Sequence, residues 1–287
     1  IVADTNGYNF RNEVIGETVG GNREVHEYDN IGNSTHAQFN SVTNHYEVNG
    51  LNQYVSIDSG VGVTLPIYDE DGNLIAHGAW TYAYDSAQRL VSVSSNGCLL
   101  ATNYYDHKGR RIRLVTPNAV HTFIYDGWNV VLEQIEHDNV KDRIAYYWGK
   151  DLSNNRSQGC GGVGGLLYLK YNGLIFVPIY DAYGNVMEYR NADGSLAASY
   201  VYDSFGRLLA CSGELADVFR YRHATKSFER GLGLYYYDNR FYSPELMRWL
   251  TRDPIEEAGG LNLYAFCHND AENKVDPYGT KVEMKIE

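Results

Sequence analysis

The side chains able to do chemistry are sparse in this chain, and their spacing excludes most reactions. Nine histidines, from His26 to His268, are scattered with no HExxH pair and no Ser/His/Asp order, so neither a metallohydrolase nor a serine hydrolase is written here. The four cysteines, Cys98, Cys160, Cys211 and Cys267, contain no CxxC pair. Zinc is not expected, free and mostly buried thiols are, and the spacing leaves any disulfide undecided. The glycine-dense run Gly159 to Gly165 lacks the Gly-Lys-Ser/Thr ending of a phosphate loop and reads as a passage where backbones approach closely. Two Asp-Pro corners remain, Asp253-Pro254 and Asp276-Pro277, at which Asp can accept backbone amides while Pro fixes φ. No metal and no cofactor is implied.

The elements that must position these residues come from an internal repeat. A tyrosine followed by aspartate and a short Gly/Asn/Arg turn recurs at Tyr28-Asp29, Tyr68-Asp69, Tyr84-Asp85, Tyr105-Asp106, Tyr125-Asp126, Tyr180-Asp181 and Tyr202-Asp203, with Tyr46 to Gly50 as a decayed copy. A period of roughly 16 to 22 residues is too short for paired helices and suits one β-hairpin per unit. Each unit ends an apolar run such as Thr122-Phe123-Ile124-Tyr125, turns, and resumes with alternating residues such as Arg111-Ile112-Arg113-Leu114-Val115. Each Tyr is expected to pack on one face of the sheet and each Asp to cap the turn that follows it.

Composition fits such a scaffold. Twenty-six tyrosines against nine phenylalanines suit strands packed on one face with hydroxyls reaching a polar partner. A net charge of −12 argues against nucleic acid and anionic membrane surfaces as partners, and no apolar run is long enough to span a membrane. Two glycosylation sequons occur, Asn33-Ser34-Thr35 and Asn155-Arg156-Ser157, a pattern frequent by chance. The start at Ile1, without Met or a signal peptide, suggests a piece of a longer polypeptide with an unpaired sheet edge near its beginning.

From Phe219 the hairpin rhythm changes. Phe219-Arg220-Tyr221-Arg222-His223, Gly231-Leu232-Gly233-Leu234-Tyr235-Tyr236-Tyr237-Asp238-Asn239-Arg240-Phe241-Tyr242, Arg248-Trp249-Leu250-Thr251-Arg252-Asp253-Pro254 and Asn273-Lys274-Val275-Asp276-Pro277-Tyr278-Gly279 together resemble the RHS repeat-associated core domain. The Tyr-Asp units upstream resemble the RHS or YD repeats that precede that core. The resemblance spans nearly the whole chain and implies an all-β fold: an antiparallel β-hairpin array over residues 1–218, coiling as part of a hollow RHS/YD shell, then an inward-spiralling core over 219–280. Residues 281–287 are then the start of a variable C-terminal region. The repeats are too few to close such a shell alone.

The function this implies is encapsulation and release of a C-terminal toxin or effector by a secreted or bacterial cell-surface protein. Its partners are its own effector and the preceding shell repeats. The resemblance also implies an aspartyl self-protease built from Asp253 and Asp276, with Arg240 as the associated basic residue and the scissile bond after Thr280. Two carboxylates at hydrogen-bonding distance do not both ionise, so one holds a proton while the other activates water. Gly259-Gly260 would turn the chain and residues 261–266 run back as a strand, bringing the corners together. The sequence departs from the family's Asp-Pro-x-Gly-Leu pattern: the first copy continues Ile255-Glu256-Glu257 and the second ends Gly279-Thr280. From a different class stands a surface protein binding glycans through exposed Tyr and Trp, without catalysis.

Overall fold

The computed structural model describes residues 5–155 and 159–284; the second sequon, the first residues and the end of the 281–287 segment extend outside them. Among the described residues, 21 strands follow one another as an antiparallel meander. A seven-stranded sheet runs from Thr5–Tyr8 to Val63–Thr64 and a fourteen-stranded sheet from Ile67–Tyr68 to Leu208–Ser212. The two ladders part at Leu65-Pro66, where proline has no N–H to contribute.

The Tyr-Asp repeat sets the bend of this array. The strand register shifts at Tyr8, Tyr28, Val48, Tyr68, Tyr84, Tyr105, Tyr125, Trp148, Tyr180 and Tyr202, a bulge at every unit. Bulges bend a strand and raise its twist, so repeating them at a fixed period coils the sheet. The repeat tyrosines reach back one unit to a strand carbonyl: Tyr84 Oη donates to Leu74 O at 2.9 Å, Tyr105 to Leu90 O at 2.6 Å, Tyr180 to Leu166 O at 2.7 Å and Tyr202 to Val186 O at 3.0 Å. The aspartates cap as expected. Asp106 Oδ1 accepts the N–H groups of Lys108 and Arg110 at 2.8 and 3.0 Å while Oδ2 holds the Arg110 side chain, and Asp29, Asp85, Asp181 and Asp203 do the same.

The decayed copy expected over Tyr46 to Gly50 is present, its turn starting at Val48-Asn49, whose Asn49 Oδ1 accepts from Leu51 and Gln53. Two departures from the sequence reading have local causes. A further copy begins at Tyr8-Asn9, where Asn9 Oδ1 accepts from Arg11 and Glu13. Asparagine offers the same side-chain oxygen as aspartate. At Tyr125-Asp126 the turn is a tight two-residue hairpin, with Asp126 directly opposite Asn129. The four thiols are free, with Cys160 and Cys267 buried but Cys98 and Cys211 exposed, so half rather than most are buried. Asn33 of the first sequon is buried and bonded to Asp29 and Asn52.

One turn of the coil brings the array's ends together. Ser204 donates N–H and Oγ to Glu17, and the Arg207 guanidinium pairs with Glu24 and stacks 3.3 Å over the Phe39 ring. Residues after 218 pack against the turns of this array through their carbonyls. Asn269 donates to Gly32 O, Arg248 to Asn52 O, Tyr264 to Gly72 O, Lys226 to Gly161 O, Thr225 to Gly184 O and Tyr235 to Gly206 O. Buried ion pairs add to the contact: Arg220 bridges Glu133 and Glu229, and Arg111 pairs with Glu229. The central sheet of this segment, Ser227–Glu229, Leu234–Tyr237, Arg240–Ser243 and Arg248–Trp249, is buried throughout. Tyr237, Tyr242, Trp249 and Phe266 stack edge and face within it.

Residues 261–266 do not form the expected strand. They are bends and turns with one isolated bridge, Arg248 to Ala265, because the Asn262 side chain takes the Tyr264 N–H that a ladder would need. No helix of the described residues is long and apolar enough to cross a membrane.

Candidate functional site

The site is built from three pieces of the last third. Arg240 opens a buried strand, Asp253 stands at the corner after Trp249, and Asp276 follows the two-residue strand Lys274–Val275. That strand pairs with Glu283–Met284, so residues 276–282 form the loop of a hairpin and Thr280 lies within it.

The structure brings the three expected residues together. Arg240 Nη2 donates to Asp253 Oδ2 at 2.8 Å and to Asp276 Oδ2 at 3.2 Å, so both carboxyls meet at one guanidinium nitrogen. Its Nε donates to Gly279 O at 2.6 Å, its Nη1 to Leu263 O at 3.3 Å, and the group lies 4.1 Å over the Trp249 ring. Asp276 is fully buried, and its Oδ1 accepts the N–H groups of Thr280 and Lys281 at 2.7 and 3.2 Å. Asp253 Oδ1 accepts Ile255 N–H at 3.0 Å.

Burial pushes the Asp253 carboxyl above the usual carboxylate range, with Asp276 adding to the rise and Arg240 and the Ile255 amide opposing it. Asp276 accepts from two amides and the guanidinium.

Two glycines shape the site: Gly259, expected from the sequence only as a turn, and Gly279. A β-carbon on Gly259 would stand 2.7 Å from Asp253 Oδ2 and 3.3 Å from Thr280 O, so the bare glycine leaves open the space that both groups border. Gly279 has φ +71°, and a β-carbon there would meet Tyr237 O at 2.9 Å. The glycine-dense run supports the same hairpin. A β-carbon on Gly161 would overlap the Pro277 carbonyl, whose oxygen instead accepts Lys226 Nζ at 2.5 Å. The signal for these contacts in the sequence is only the glycines themselves, since each partner is distant along the chain.

The comparisons with known proteins agree with this architecture. A model of the Teneurin YD-shell family matches residues 4–272. The chain is similar to the tRNA3(Ser)-specific nuclease WapA of Bacillus spizizenii and to the tRNA nuclease WapA of Bacillus subtilis, 30% identical to each over 97% of its own length. It spans 12% of the length of each of these relatives. Among solved structures, the crystal structure of TcdB2-TccC3-Cdc42 superposes with a TM-score of 0.57 at 15% identity, covering 96% of this chain and 18% of that one. With its periodic bulges, capped Tyr-Asp turns and buried last third, the chain belongs to the Teneurin YD-shell family.

Proposed function

We propose that the chain is the closing turn and plug of an RHS shell that encloses a C-terminal effector, and that Asp253, Asp276 and Arg240 free the effector by one self-cleavage after Thr280. In this reading residues 1–218 are a stretch of β-solenoid wall, 219–280 the core that plugs it, and 281–287 the start of the variable region. Preceding shell repeats and the effector are the partners, and the protein acts secreted or at the bacterial surface. The observation that supports it most is the convergence of both carboxyls on Arg240 next to one peptide bond: Lys281 N–H lies on Asp276 Oδ1, and Thr280 O and Asp253 Oδ2 both border the space a β-carbon on Gly259 would fill.

The chemistry follows from those positions. Asp253, protonated, donates to Thr280 O and polarises the carbonyl. Asp276, ionised, takes a proton from a water whose oxygen attacks the Thr280 carbonyl carbon, giving a tetrahedral diol. On collapse the diol returns a proton to Asp253, Asp276 hands its proton to Lys281 N, and the C–N bond breaks to a carboxylic acid and an amine. Arg240 holds the Gly279 carbonyl and both carboxyls, positioning chain and acids at once.

The test uses the full-length protein carrying its effector. Native size exclusion should give one particle, and denaturing electrophoresis two polypeptides, while Asp276→Asn gives one species in both. A wild-type chain that stays single when denatured, or an effector that separates under native conditions, contradicts the reading.

A further inference from the structure

The array's ends meet at a buried acidic seam that the cleavage site does not use. Glu17 and Glu24 are directly opposite each other on the neighbouring strands Val14–Val19 and Asn22–Tyr28, and His26 lies two residues on from Glu24, on the same face. All three are buried, with 3%, 3% and 1% exposure. Like charges directly opposite on paired strands repel, and in the interior the repulsion is not screened.

The local cations do not balance this seam. Glu17, Glu24 and Asp203 are buried together beside one guanidinium, that of Arg207, which pairs with both Glu24 and Asp203. Glu272 joins from the last third, its Oε1 2.8 Å from Ser204 Oγ.

The histidine supplies an independent sign. His26 Nε2 lies 3.4 Å from Glu24 Oε2, within ion-pair range but without hydrogen-bond alignment; both ring nitrogens and Glu24 Oε2 have no hydrogen-bond partner among the described residues. A buried imidazole normally has at least one such partner. Its ring is held between Phe39 and Phe205, 5.8 and 5.1 Å away, so it is fixed in place. One ligand atom from each of Glu17, Glu24 and His26 falls within 4.8 Å of the other two, the spread of donors around a single ion.

We infer that Glu17, Glu24 and His26 bind one divalent transition-metal ion, zinc foremost, at the closure of the array. Two carboxylates and an imidazole suit zinc with a water as fourth ligand, and the imidazole selects against calcium and magnesium. Because Glu17 also holds Ser204 and Glu24 holds Arg207, the ion fastens the first hairpin to the last Tyr-Asp turn. This departs from the expectation of no metal, which rested on His and Cys spacing alone.

The test is Zn2+ titrated into chelator-treated full chain, by calorimetry and by melting. One ion per chain should bind and raise the melting temperature, with Mg2+ at equal concentration doing neither. His26→Gln and Glu24→Gln should each weaken binding at least tenfold, and His36→Ala, at a different histidine pair, should leave it unchanged. If His26→Gln fails to fold, His26→Phe, whose ring suits the slot by Phe39 and Phe205, should fold and lose the ion. No stoichiometric uptake by the wild type, an equal response to Mg2+, or binding that survives both His26→Phe and Glu24→Gln overturns the assignment.

Discussion

Asp276 Oδ1 accepts the Thr280 N–H at 2.7 Å, the same aspartate-to-fourth-amide bond that caps the Tyr-Asp turns at Asp29, Asp106 and Asp203. The Asp-Pro corner is therefore a turn former and a candidate catalytic group in one geometry. At Asp276 the second carboxyl comes from another Asp-Pro corner: Arg240 carries Asp253 to within one guanidinium of Asp276.

Gly259 is predicted to be as necessary to cleavage as the carboxyls. Gly259→Ala places a methyl group against Asp253 and close to Thr280 O, which on the proposed mechanism displaces the acid from the carbonyl. A misplacement of this size costs about a hundredfold in rate. Cleavage followed over time should slow by that order while the melting temperature moves little. Unchanged cleavage would place Thr280 O outside the reaction.

The repeat tyrosines carry stability. Tyr202 is buried, 6% exposed, with its hydroxyl on Val186 O. Tyr202→Ala should cost on the order of 3 kcal/mol through the cavity, and Tyr202→Phe about 1 kcal/mol through the lost hydrogen bond. Chemical denaturation of both variants separates the two contributions. Equal, small losses would mean that this ring does not hold the wall together.

How much of this was legible in the sequence depends on the range of each contact. Asp29 or Asp106 bonds to amides two and four residues on, so type and spacing suffice to predict the cap. The copy at Tyr8-Asn9 escaped notice because asparagine does the work of aspartate under a different letter, as Trp148 does that of tyrosine through Nε1 on Val130 O. The meeting of Arg240, Asp253 and Asp276 was reachable only by resemblance, since no local rule folds residues 254–275 back. The pairing of Glu17 with Glu24 was within reach: the Gly20-Gly21 turn between two short strands places them opposite.

Acid should loosen the plug from the wall. Burial opposes ionisation of Glu133 and Glu229, but Arg220 and His121 at the first, and Arg111 and Arg220 at the second, outweigh it and hold both carboxyls near about 2. A folded value below the ordinary 4.5 stabilises fully above pH 4.5, and that contribution is lost as pH falls toward 2. The loss is on the order of 3 kcal/mol per carboxyl. Denaturation at pH 6 and pH 3 should show the decline. Arg220→Met should flatten it, at a cost near neutrality of about 3 to 5 kcal/mol for the carboxylates left buried and unpaired. A wild type equally stable at both pH values would contradict the assigned charges.

The central claim is that this core cuts its own chain, and the intact mass of freshly purified full-length protein tests it most directly. The account predicts a fragment whose last residue is Thr280, absent from both Asp253→Asn and Asp276→Asn variants that retain the wild-type melting temperature. A single uncut mass for the wild type in its complete shell, or a fragment that persists in both variants, would contradict it and leave the two Asp-Pro corners as turns.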